Sequence, residues 1–161
     1  MKSNTYVASG KLLGQQTAYE QIDRLKPSDT STGFLSMVIP HTTPELTRAA
    51  LRHAEACSDL DVHVSLVDIQ VVPFPCPLNE PPIDKEFSDQ RLRKLLEETG
   101  LSGQATVFYT RDRPEAFRKV LEPGSLVILA TKKRWWPTRE ERLARTLTKA
   151  GHQVMLLPVV R

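Results

Sequence analysis

The stretch Gly124–Pro158, GSLVILATKKRWWPTREERLARTLTKAGHQVMLLP, decides how the rest of the chain is read. SLVILAT (Ser125–Thr131) is a continuous apolar run of strand length, and KKRWWP ends it with charge, bulk and a proline. From Thr138 to Ala150 apolar residues recur at helical spacing, with Leu143, Leu147 and Ala150 facing inward, until Gly151 stops the pattern. Val154–Val160 closes as a strand. A helix between two strands carries the chain back to its starting edge, so the two strands run parallel.

The same unit repeats upstream. RPEAFRKVLEPG is a short helix opened by Pro114 and closed by Pro123-Gly124, and Gln104–Tyr109 before it is a strand. Glu86–Thr99 is a helix with Phe87, Leu92, Leu95 and Leu96 turned inward and Gly100 as its stop. Val62–Val72 is the second strand and Phe34–Ile39 the first, ended by Pro40. Between these two, Thr43 suits an N-cap with Pro44 at the first helical position and Glu45 in the first turn. Leu46, Ala49, Ala50, His53, Ala54 and Cys57 give that helix one apolar face.

This alternation predicts an α/β domain: an open, five-stranded parallel sheet with helices on both faces, and SLVILAT, the most apolar strand, at its centre. The loop VPFPCPLNEPPID holds five of the twelve prolines, so it is neither helix nor inner strand. It reads as a stiff surface loop rather than a polyproline ligand. Residues 1–32 are polar and run into the turn-rich KPSDTSTG. They form an N-terminal extension, packed on the domain or mobile, and residues 33–161 form the domain.

Composition bounds the function classes. At 161 residues, with 40% hydrophobic and 25% charged content, the chain suits one globular domain with its own core. A net charge of +3 is too small for a general polyelectrolyte role, yet seven Lys or Arg against two Glu fall between Thr131 and Lys149. Cys57 and Cys76 have neither metal nor redox spacing. No apolar run reaches the roughly 18 residues of a membrane span, and the first residues lack the apolar core of a secretory signal. These features predict a cytoplasmic protein that does not insert into membranes.

In open parallel sheets, ligands bind beyond the carboxyl ends of the strands where strand order reverses. The candidate site therefore comprises His41, Thr42 and Thr43, then Asp68, Ile69 and Gln70, then Arg111, Asp112 and Arg113, and finally Thr131, Lys132, Lys133 and Arg134. His41 with Asp68 or Asp112 could form an acid–base pair, though nothing in the sequence fixes their geometry. No metal spacing, nucleophile elbow or phosphate loop accompanies it, so the sequence points away from catalysis.

The order and spacing of these segments resemble the universal stress proteins over about residues 34–158. IPHTTPELTRAAL is similar to the family's first strand, polar turn and Pro-Glu helix start. A proline-containing loop after the second strand, RDRPEAF opening a short helix, and the unit from GSLVILATKK to MLLP are similar too. The resemblance implies a Rossmann-like, HUP-type fold, a stress-response role and dimers, often formed through the last strand: here Val154, Met155, Leu156, Leu157 and Val159, with Pro158 limiting the pairing.

Many members bind ATP through Gly-x-x-Gly-x9-Gly-Ser/Thr after the fourth strand. This sequence sets Ala130, Lys133, Leu143 and Ala144 in those places, and His41 stands where an acid is usual. The resemblance therefore implies a homodimeric binding or regulatory module without standard ATP binding. No cofactor is assigned, and ATP or AMP are the candidates. A protein partner such as a transporter is compatible with the family. Two alternatives remain: a nucleotide or anion sensor using Lys132–Arg134, or a nucleic-acid binder using Trp135, Trp136 and the basic helix. Glu140 and Glu141 interrupt that helix's charge and count against the second alternative; the tryptophans could equally cap the sheet or join a dimer.

Overall fold

The computed structural model describes residues 11–12, 35–57 and 61–160. Its elements are β1 (Lys11–Leu12), β2 (Leu35–Pro40), α1 (Pro44–Ala56), β3 (Val62–Val71), α2 (Lys85–Glu97), β4 (Ser102–Thr110), α3 (Arg113–Val120), β5 (Leu126–Lys132), α4 (Arg139–Lys149) and β6 (Gln153–Val159). The strands form one parallel sheet in the order β1-β4-β3-β2-β5-β6. All five expected strands are present. Lys11–Leu12 adds a short sixth, paired with Phe108 and Tyr109, so this part of the N-terminal extension packs on the domain. The rest of the extension lies outside the described residues.

Period-two alternation sends successive strand residues to opposite faces. Met37, Ile39, Val64, Leu66, Val107 and Ile128 meet Leu46, Ala50, Leu51, Leu92 and Leu96 of α1 and α2. Val67, Ile69, Phe108, Val127 and Leu129 meet Phe117, Val120, Ala144 and Leu147 of α3 and α4. Burial on both sides is what makes SLVILAT so apolar. That strand is not the centre, however: β5 lies between β2 and β6, one place from the edge.

Four helix-face assignments change. Phe87 is 57% exposed, and Ala150 is exposed after α4 has ended, whereas Leu51 and Ala144 carry core positions. Each helix opens on a side-chain cap that satisfies an otherwise unpaired N–H: Thr43, Asp84, Asp112 and Thr138. After α4, Gly151 adopts φ 92°, a left-handed conformation that costs glycine little and sends the chain into β6.

Candidate functional site

Strand order reverses between β2 and β5, with β3 and β4 on one side and β6 on the other. The segments leaving β2 and β5 flank a crevice of about 400 Å³ lined by Thr43, Leu46, Lys132, Arg134, Trp136 and the start of α4. Of the residues singled out in the sequence, Thr43, Lys132 and Arg134 meet there.

The cations of this loop differ in their surroundings. Lys132 Nζ donates to Glu45 Oε2 at 2.6 Å, tying the end of β5 to the first turn of α1. Both side chains are more than a third exposed, so Lys132→Ala should cost less than about 1 kcal/mol in urea unfolding. Lys133 and Arg134 are exposed and form no ion pair among the described residues. Trp135 and Trp136 project into solvent at 101% and 83% exposure, so neither caps the sheet.

The start of α4 is closed on itself. Glu141 N–H donates to Thr138 Oγ1 at 3.1 Å, and Thr138 N–H donates to Glu141 Oε2 at 3.3 Å. Thr131 and Thr138 share a further hydroxyl–hydroxyl bond of 2.8 Å. Thr138→Ala removes the cap and should lower stability by about 1 kcal/mol, measurable as a shifted urea midpoint. Leu143 and Ala144 lie inside α4, past the first turn where N–H groups are free, and Ala144 is buried.

On the α1/α2 face of the strand ends lies a buried polar cluster. His41 is 5% exposed, and its Nδ1 sits 2.9 Å from Thr47 Oγ1. Asp68, 6% exposed, accepts from Gln70 Nε2 at 2.9 Å and lies 3.8 Å from Arg91. Gln70 also donates to Ser88 Oγ at 3.3 Å. His41 and Asp68 thus have separate hydrogen-bond partners. The strand-end rule misses Ser88, which accepts from Gln70, and Arg91; a strand carboxylate facing a helix layer demands a cation or donor such as Arg91, and that demand is the available signal.

Burial holds the His41 imidazole below its ordinary pKa, with the nearby Asp68 charge opposing the shift. The unfolded chain therefore binds more protons between the folded pKa and about 6.5. This contribution to stability is complete above about pH 6.5 and is lost as pH falls toward the folded value. Urea midpoints at pH 7.5 and 5.5 should show the loss, and His41→Gln should flatten it.

The other candidates serve the scaffold. Ile69 belongs to the α3/α4 core and Thr131 is buried beneath Thr138. Asp112 Oδ1 accepts from Glu115 N–H at 3.0 Å as the α3 cap. Arg111 turns away from the crevice to Val72 O and Cys76 O, both at 2.6 Å. Arg113 lies over the Phe117 ring, 5.7 Å from its centroid. β6 is an outer edge of the sheet: Val154, Leu156, Leu157 and Val159 are half-buried, and Met155 is 41% exposed.

Among the described residues no helix is long and apolar enough to cross a membrane, and no cluster of His, Cys, Asp and Glu could hold a metal ion. No protein-family model and no curated protein matches the sequence. The structure is similar to the crystal structure of a protein from the universal stress protein family from Burkholderia pseudomallei. The TM-score is 0.54 at 17% sequence identity, over 81% of this chain and 100% of the other. With the parallel sheet and its strand order, this likeness establishes that the chain has a universal stress protein-like fold.

Proposed function

We propose that the chain is a homodimeric binding and regulatory module of the universal stress type that lacks the family's triphosphate cradle. The carrying observation is the start of α4. A helix N-terminus attracts phosphate when its first N–H groups are free and its dipole is uncompensated. Here Thr138 and Glu141 cap each other, and the Glu140 and Glu141 carboxylates supply negative charge where phosphate would have to sit. Ala130, Lys133, Leu143 and Ala144 add neither glycine nor hydroxyl at the spacings the resemblance requires.

The decisive experiment is to denature the purified protein, identify released small molecules by mass spectrometry, and titrate the native protein with ATP and AMP by calorimetry. No stoichiometric nucleotide and no saturable heat are expected; a bound nucleotide would overturn the reading. The half-buried apolar residues of β6 supply the proposed dimer edge. Met155→Asp should then turn a dimer into a monomer in sedimentation equilibrium while leaving the fold intact.

A second reading, an anion or nucleotide sensor, is favoured by the crevice itself, where Arg134 lacks an ion pair among the described residues and lies beside Trp136. It requires saturable anion binding that Lys133→Ala with Arg134→Ala abolishes. Unchanged binding in that double variant would remove it.

A further inference from the structure

α3 packs against β3 and β4, and α4 against β5 and β6, so neither helix lies squarely over β2. The gap between them is a groove of about 630 Å³ that starts at Thr42 and Thr43 and runs between the two helices to His152. Phe117 and Leu147 lie almost fully buried beneath it, and its accessible apolar surface comes from Pro114, Leu143 and Ala150. Arg113 and Arg118 line it from α3, and Arg139, Arg142 and Lys149 from α4, against the single acid Glu140.

Two polar atoms in these walls are unsatisfied. His152 is 8% exposed and its Nδ1 has no hydrogen-bond partner among the described residues; Arg113 Nε is buried and equally unpartnered there. Among the described residues, Arg118, Arg139, Arg142 and Lys149 form no ion pair.

We propose that this groove is a binding site for an elongated amphiphilic organic anion, with an apolar body on Pro114, Leu143 and Ala150 and an acidic head among the arginines. The groove's volume lies within the range of small-molecule sites. Charge selects the anion: five cations and one acid, with no counter-ion among the described residues for four of the cations, hold a carboxylate or phosphate by charge-assisted hydrogen bonds. The site is separate from the Lys133–Arg134 loop, although Thr43, Arg139 and Glu140 border both cavities.

The test is a calorimetric titration of the full chain with dodecanoate below its micelle concentration, alongside sulfate and uncharged decyl glucoside. Saturable one-site binding of dodecanoate is expected, with weaker binding of the head-only and uncharged probes. Arg118→Gln with Arg142→Gln, both exposed and so harmless to folding, should weaken dodecanoate binding about tenfold or more. Lys133→Ala with Arg134→Ala should leave it unchanged, which separates this groove from the switch-point reading. Absent or non-saturating binding would overturn the proposal. So would binding that survives the Arg118 and Arg142 changes, or equal binding of the uncharged probe.

Discussion

Gly103→Ala is expected to lower stability by about 3 kcal/mol, although it adds one methyl group and leaves every side-chain contact in place. Gly103 lies opposite Val64 in the β3–β4 pairing. A Cβ there would stand 2.1 Å from Val64 O, 3.0 Å from its carbonyl carbon and 3.2 Å from its Cα. All three are backbone atoms of an inner strand, so no rotamer change relieves the overlap and the two strands must part. Gly100→Ala is the control. Its new methyl would meet only Glu55 Oε1 at 3.8 Å, and its effect should stay within about 0.5 kcal/mol. Urea unfolding reads both. Hydrogen exchange should show the Gly103→Ala loss concentrated in β3 and β4. If the two variants proved equally stable, the close approach of Gly103 to Val64 would be wrong.

That glycine also shows where the sequence reading stops. LSGQATVFY looks like a strand opening at Gln104, since a serine and a glycine normally belong to the turn before it. The strand in fact begins at Ser102, because Gly103 allows the backbone of β3 to come close. Strand and helix order was legible because alternating apolar runs and helix caps are local signals. The position of SLVILAT was not: an apolar run reports burial on both faces, and β5 has that one place from the edge. Site residues were legible only as far as the strand-end rule reaches. It brought Thr43, Lys132 and Arg134 to one crevice. It could not tell a residue facing the crevice from one committed elsewhere, as Ile69, Asp112 and Arg111 are.

The two cavities differ in a way that bears on function. At the switch point, the helix start is internally capped and the charge of Lys132 is answered by Glu45. Between α3 and α4, most of the cations form no ion pair among the described residues. Among the described residues the unpaired positive charge thus falls in two places, at Lys133 and Arg134 after β5 and at Arg118, Arg139, Arg142 and Lys149 along the groove.

Arg111→Ala is expected to cost about 2–3 kcal/mol and to loosen the proline-rich loop, with no direct effect on either cavity. The prolines at 73, 75, 77, 81 and 82 lack N–H groups, so beyond the turn bonds from Cys76 N–H to Pro73 O and from Glu80 N–H to Pro77 O the segment has few donors for its own carbonyls. Arg111 supplies the missing donors: one guanidinium spans Val72 O and Cys76 O, each at 2.6 Å, while its Cζ lies 4.1 Å from the centroid of the Phe74 ring. Val72 is buried, so its carbonyl would lose a partner where water reaches poorly. Arg111→Lys should recover little, because an ammonium is a point donor and cannot reproduce the planar fork. Phe74→Ala should cost only about 0.5–1 kcal/mol, since the ring is 83% exposed and contributes mainly its face to the cation. Urea unfolding ranks the three variants, and limited proteolysis should show faster cleavage between residues 73 and 84 in Arg111→Ala alone. Unaltered stability and cleavage would mean that the guanidinium does not hold the loop, and would return Arg111 to the set of residues free to meet a ligand.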